Sequence, residues 1–203
     1  MIEICAVGGY SEVGKNMTAI KVDDEVIICD MGFYLPEIIK IQDEEIIKGK
    51  LTKKTLQFHG GIPNDTIIKK WKNKVKAIAV THAHLDHIGA IPYMAEDYNA
   101  PVYGTPYSIE VLSQILKDEK IKIKNKLKVL NSNASVKISD KITIEFVNMT
   151  HSTPQTVMIA IHTPYGSIIY ANDFKFDNHP VLGKKPNYKR LEEIGKDGVI
   201  ALI

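Results

Sequence analysis

An apolar strand that feeds directly into a cluster of metal-ligating side chains constrains this chain more than any other feature. Residues 75–80 read VKAIAV, and residues 81–90 read THAHLDHIGA. In an extended segment alternate residues point the same way, so His82 and His84 can reach one ion together. The turn of chain beyond them swings Asp86 and His87 toward a second point. Imidazole nitrogens with a carboxylate suit zinc, with manganese or iron as alternatives, and two such ions side by side activate a water between them. A polar loop whose histidines merely cap a helix is the bland alternative, and the density of the cluster argues against it.

Such a nest needs further donors at strand ends. His151 follows an apolar run and precedes Ser152-Thr153-Pro154, and Asp173 ends another run in YANDFKFD. Ligands at the ends of adjacent strands converge on one sheet edge, where a scaffold holds them rigidly. His82, His84 and His151 would make a three-nitrogen site, and Asp86 and His87 would begin a second. Asp173 is the natural bridge, because a carboxylate can offer one oxygen to each ion. The second ion is then one ligand short. Asp30, also at a strand end, reads as a residue that orients a ligand loop through hydrogen bonds. His162 reads as a packed or surface histidine inside a strand, His59 equally as a residue lining a cleft or a loop residue, and His179 carries no assignment.

Composition sets bounds. The 203 residues suffice for one domain with a sizeable core, 44% are apolar and 25% charged, and the net charge is +2. A nucleic-acid partner therefore cannot be argued from bulk electrostatics and would need a local patch. Cys5 and Cys29 have no CxxC partner and read as buried thiols in a reducing cytosol. No membrane span or secretion signal is visible, so a cytoplasmic location is expected.

The pattern predicts strands over residues 2–7, 16–22 and 25–30, the last two joined by a turn at Asp23-Asp24. Helices are expected after Asn64, with Ile67, Ile68 and Trp71 inward, over residues 88–98 with a kink at Pro92, and after the Thr105-Pro106 cap. Residues 35–60 show little periodicity and read as a long connection. Residues 117–128 alternate lysine with Ile or Leu. They predict an amphipathic edge strand with a solvated face, or functionally a phosphate-attracting rim. Short strands over 142–147, 156–161 and 167–170, a helix over 188–196 and a last strand from Val199 complete the chain. Two facing sheets with helices outside are the expected architecture, an α/β class.

HAHLDH followed by His151 and Asp173 resembles the metallo-β-lactamase superfamily. GGYSEVGKNMTAI, DMGF, GIPND, THAHLDHIGAIPYM, HSTPQT and YANDFKFDNHP together resemble the archaeal ribonuclease J family of its β-CASP branch, across essentially the whole chain. The resemblance implies an αββα sandwich. Residues 1–203 would be the N-terminal portion of a metallo-β-lactamase domain, with the β-CASP insertion and C-terminal remainder absent. It implies two Zn2+ ions per complete site, with Mn2+ as the alternative. His82, His84 and His151 match the ligands of the first ion, Asp86 and His87 those of the second, and Asp173 the bridge, with Asp86 beside the activated water. Where the family has glycine before that bridge, this chain has Asn172, a residue that tolerates left-handed backbone.

The implied activity is metal-dependent hydrolysis of RNA, running 5′ to 3′ from a 5′-monophosphate, with endonuclease action besides. The full-length protein is expected to be a homo-oligomer without a membrane partner, and the 203-residue piece to be weak or inactive alone. Three alternatives remain: a polyadenylation-factor-like endonuclease, a small-substrate metallo-hydrolase, and a non-enzymatic, metal-stabilised RNA-binding module.

Overall fold

Alternate residues of the central strands enter different cores, and this alternation builds the layers. In β3 (Glu25–Cys29) Val26 and Ile28 pack against helices, while Ile27 and Cys29 face a second sheet. In β4 (Val75–Ala79) Ile78 turns to the helices and Ala77 and Ala79 to the other sheet. A period of two with both faces apolar marks a strand covered on both sides. The computed structural model describes residues 1–43 and 51–203.

The first sheet runs in the order β1 (Ile2–Gly8), β2 (Met17–Val22), β3, β4, β5 (Val102–Gly104) and β6 (Leu127–Val129). The β2–β3 hairpin turns at Asp23, which has a φ of 55°, and β3 through β6 are parallel. The second sheet has the order β11 (Val199–Leu202), β10 (Gly166–Tyr170), β9 (Val157–Thr163), β8 (Thr143–Asn148) and β7 (Ser135–Lys137). Ile20, Ile27 and Ala79 of one sheet meet Ile144, Phe146, Ile159 and Ile168 of the other in the central core. Outside the first sheet lie α1 (Leu35–Asp43), α2 (Lys53–Phe58), α3 (Leu85–Ile88), α4 (Ile91–Met94) and α5 (Pro106–Asp118). Outside the second, α6 (Tyr188–Asp197) buries Ile194 against Val147, Met158 and Ile169. The expected αββα layering is present.

Several local expectations need correction. The unpatterned stretch contains α1 and α2. The first buries only Ile38 and Ile41, and the second is six residues long with a Thr52–Thr55 capping box, so neither writes a long periodic signal. Residues 44–50 of that stretch lie outside the described residues. The helix after Asn64 is a 3₁₀ stretch (Asp65–Lys74), kinked at Ile68. It buries Ile68 but leaves Ile67 66% exposed. The kinked helix expected over 88–98 is two single turns, α3 and α4, followed by a 3₁₀ turn (Ala95–Asp97).

In the lysine-alternating stretch the even positions from Lys122 to Lys128 are exposed and the odd ones half-buried, as predicted, yet only Leu127–Val129 pairs as a strand. β5 offers just three residues to pair with. Upstream, the Asn125 amide donates to the carbonyls of Ala95, Tyr98 and Ala100 at 2.8–2.9 Å and pins the chain as a loop. Cys29 is buried and Cys5 half-buried, and both are free. Among the described residues no helix is long and apolar enough to cross a membrane.

Candidate metal centre

Parallel pairing of β3 with β4 places Cys29 opposite Ala79, so the residues just beyond both strands emerge side by side. Asp30 N donates to Ala79 O at 2.9 Å, and the Asp30 backbone turns away at a φ of 60°. Its carboxylate stays fully buried. There Oδ1 accepts from Thr81 N and Oδ2 from Thr81 Oγ1, both at 2.8 Å, and Oδ2 also lies 2.8 Å from His87 Nδ1. A buried carboxylate with that many donors is held rigidly.

The same contacts fix the histidine tautomers. The Thr81 hydroxyl gives its proton to Asp30, so at 2.9 Å it accepts from His82 Nδ1–H. The Nε2 lone pair of His82 is therefore free and faces His84 Nδ1 at 3.0 Å. His87 likewise gives Nδ1–H to Asp30 and turns Nε2 toward Asp86 and Asp173, at 3.5 and 3.4 Å. His84, the residue before α3, presents Nδ1, with Ser152 Oγ 3.3 Å from its Nε2.

The second sheet closes the site. Val157 N donates to Thr81 O across the sheets at 3.0 Å, which fixes the loop between β8 and β9 against the first sheet. That loop carries His151, whose Nε2 lies 3.3 Å from His84 Nδ1 and 3.8 Å from Asp173 Oδ2. Asp173 follows β10 through Asn172, which adopts a φ of 27°. Asparagine thus makes the left-handed turn expected of it.

The donor atoms fall into two overlapping groups, each within 4.8 Å: His82, His84, His151 and Asp173, and Asp86, His87 and Asp173. Burial and the neighbouring imidazoles of His87, His84 and His151 hold His82 neutral, its pKa lowered to about 2. Burial also opposes charge on His87, but Asp30, Asp173 and Asp86 outweigh it and push its pKa up to about 11. Three carboxylates around one imidazole leave the cluster short of positive charge, and neutral imidazoles with free lone pairs complete a donor set suited to divalent cations.

All six residues expected as ligands meet here, and Asp30 stands behind them. His59, His162 and His179 do not. His162 lies in β9 between Ser167 Oγ at 2.9 Å and Glu145 Oε2 at 2.8 Å, a structural role. Sequence reasoning missed Thr81, Asn16 and Gly32. The Asn16 amide donates to Asp86 O at 3.1 Å and lies 3.3 Å from the Asp86 carboxylate and 3.0 Å from His87 Nε2. Gly32 lets the backbone of β3's extension pass so close to Asp86 that a Cβ there would lie 1.5 Å from Asp86 O. Thr81 and Asn16 left no separable signal, since polar residues beside a motif are common; a glycine after Asp30-Met31 hints at close backbone approach.

The Beta-lactamase superfamily domain, as a family profile, matches residues 63–185. The chain is 50% identical over 203 residues to Ribonuclease J of Methanocaldococcus jannaschii and 46% identical over 205 residues to Ribonuclease J of Pyrococcus abyssi. Each alignment covers 100% of this chain and 45% of the relative, so the chain spans about half the length of the curated relatives it matches. Among solved structures, unliganded yeast PDE1 superposes with a TM-score of 0.61 at 16% identity, over 98% of this chain and 74% of that one. The metallo-beta-lactamase fold protein YhfI from Bacillus subtilis gives 0.51 at 15% identity, over 84% and 62%. These two likenesses concern the fold.

Proposed function

The chain belongs to the beta-lactamase superfamily, and from that premise we propose that it carries the two-ion centre of a metal-dependent ribonuclease. One observation carries the reading: Asp173 is common to both groups of donor atoms, as a carboxylate between two cations would be. Similarity to Ribonuclease J along the whole chain supports RNA as the substrate. His82, His84 and His151 would hold one ion, Asp86 and His87 the other, and Asp173 both. Zinc suits the imidazole-rich group best, with manganese tolerated. Bound ions of this kind supply Lewis acidity and neutralise charge on a phosphodiester.

The protein's own part is positional. Asp30 and Thr81 hold Nδ1–H of His87 and His82 so that each Nε2 faces the centre, and Asn16 steadies the turn that carries Asp86. A preference for 5′-monophosphorylated ends, 5′-to-3′ action and a homo-oligomeric state belong to the reading through the family resemblance. A cytoplasmic location accords with the two free thiols.

Zinc titration of the metal-free chain tests it. Two sites of unequal affinity are expected, because one group offers three imidazoles and the other a single one. His151→Ala should remove the tighter site and Asp86→Ala the weaker. A chain that takes up no zinc or manganese would overturn the two-ion centre. A chain that loads both ions yet leaves end-labelled RNA uncut while hydrolysing a small ester or lactam would instead favour a small-substrate hydrolase.

A further inference from the structure

Directly after Asp173 the chain exposes three aromatic rings in a row. Phe174 and Phe176 are 37% and 61% exposed, and Tyr188, the first residue of α6, is 37% exposed. Ring centroids are 5.1 Å apart between the two phenylalanines and 5.7 Å between Phe176 and Tyr188. Proteins usually bury such rings, since each carries a large apolar area. The row is also firmly mounted. Lys175 N donates to Thr150 O at 2.8 Å, Asp177 N to Thr150 Oγ1 at 3.2 Å, and Asn187 N to Asn148 O at 3.0 Å.

Charge accompanies the rings. Residues 174–190 hold five lysines and arginines against one aspartate, in a chain whose net charge is only +2. Of these cations Arg190 is engaged by Glu145, while Lys175, Lys184 and Lys185 have no carboxylate among the described residues within salt-bridge distance. Side chains alternate along the extended 174–177 segment, so Lys175 turns from the rings toward a cavity of about 610 Å³ that His151, Asp177 and Lys184 also line.

We propose that Phe174, Phe176 and Tyr188 form a base-stacking platform for single-stranded RNA approaching the metal centre, with Lys175, Lys184 and Lys185 following its phosphates. The inference rests on the ribonuclease reading and specifies how that substrate is presented. Exposed aromatics interleaved with unpaired lysines suit single strands, because every unpaired base offers a π-face and the backbone offers charge. A duplex hides its faces and would gain only the charge contribution. The observations favour nucleic acid over a protein partner, because exposed rings and unpaired lysines share one short stretch of chain, as stacking and phosphate contact both require.

The test is fluorescence anisotropy with the metal-loaded chain and a phosphorothioate oligoadenylate of about 12 nucleotides, beside the same strand without bases and the same strand in a duplex. The single strand should bind more tightly than either control. Phe176→Ala should weaken its binding roughly tenfold while leaving the base-free strand unaffected, and Phe176→Trp should restore it. Circular dichroism and zinc content establish that each variant is folded and loaded. Equal losses on base-bearing and base-free strands would overturn stacking, as would a Phe176→Ala chain that binds the single strand like the parent while losing self-association. In both cases the ribonuclease reading would stand. If the parent chain binds none of the three nucleic acids, the stacking platform falls; the ribonuclease reading, in which this chain is weak or inactive alone, stands or falls separately on the zinc titration.

Discussion

On the bank of the candidate metal centre built by the first sheet, His82, His87 and Asp30 are fully buried and joined through the Thr81 hydroxyl. On the bank built by the second sheet, His151 is half-buried and the Asp173 side chain is 46% exposed. The first bank extends parallel strands whose backbones bond each other up to the proposed ligands. The second hangs its donors on loops beyond antiparallel strands, tied across by the Val157–Thr81 bond. Preorganised donors cost stability, since buried polar groups must all be satisfied, whereas exposed donors are inexpensive but less precisely aimed. The protein invests folding energy in one bank and leaves the other adaptable.

Removal of Asp30 should therefore have the largest effect. Asp30→Ala leaves the Thr81 amide and hydroxyl and His87 Nδ1–H without their buried acceptor. Stability should fall by about 3–5 kcal/mol, the range for breaking a buried charged pair. Asp173→Ala, on the exposed bank, should cost less than about 1 kcal/mol in the metal-free chain. Urea denaturation of both variants without metal makes the measurement. Equal losses would break the asymmetry between the banks.

Thr81→Val probes the same bank more gently, because it keeps shape and removes only the hydroxyl. His82 Nδ1–H then loses its acceptor, and the imidazole loses the contact that fixes its tautomer. Metal affinity should drop about 10- to 100-fold, as for other residues that orient a ligand. Ser152→Ala releases the corresponding contact at His84, a 3.3 Å approach on the exposed side, and should cost less than about tenfold on the same scale. Chelator competition orders the two. A larger loss for Ser152→Ala would mean that the adaptable bank governs affinity.

This asymmetry also explains what could be read beforehand. The convergence of the six proposed ligands was legible because their chemistry is rare at such density, and the place of Asp30 because a carboxylate ending an apolar strand has few structural uses. The layering was legible from strands apolar on both faces, such as β3 and β4. Thr81 and Asn16 were not, since their importance lies in contacts made only on folding, with partners up to 71 positions away. The same holds for the loop at residues 119–126. From residue 121 its exposure alternates as a strand's would, but Asn125 and a three-residue β5 decide its conformation. Short helices such as α2 were invisible because a single cap and one buried leucine write too little pattern.

What stiffness the second bank has comes from behind its sheet, and pH should reveal it. Glu145, on the face of β8 turned toward α6, is fixed by Arg190 through Nε at 2.7 Å and Nη2 at 3.0 Å, and by His162 at 2.8 Å. Burial works against its charge, but these bonds hold its pKa below the ordinary glutamate value of 4.5. A carboxylate depressed on folding stabilises the chain above its unfolded pKa and loses that contribution as the pH falls through the folded one. The clamp should thus be intact at neutral pH and fade below about pH 4. Glu145→Gln should cost about 1–3 kcal/mol at pH 7, and the gap to the parent should close as the pH drops through that window. Metal affinity at pH 7 should move far less than in Thr81→Val, because the clamp stiffens the sheet and leaves the aim of His151 and Asp173 to their loops. Glu145→Gln lowering metal affinity as much as Thr81→Val would place the second bank, too, under rigid control.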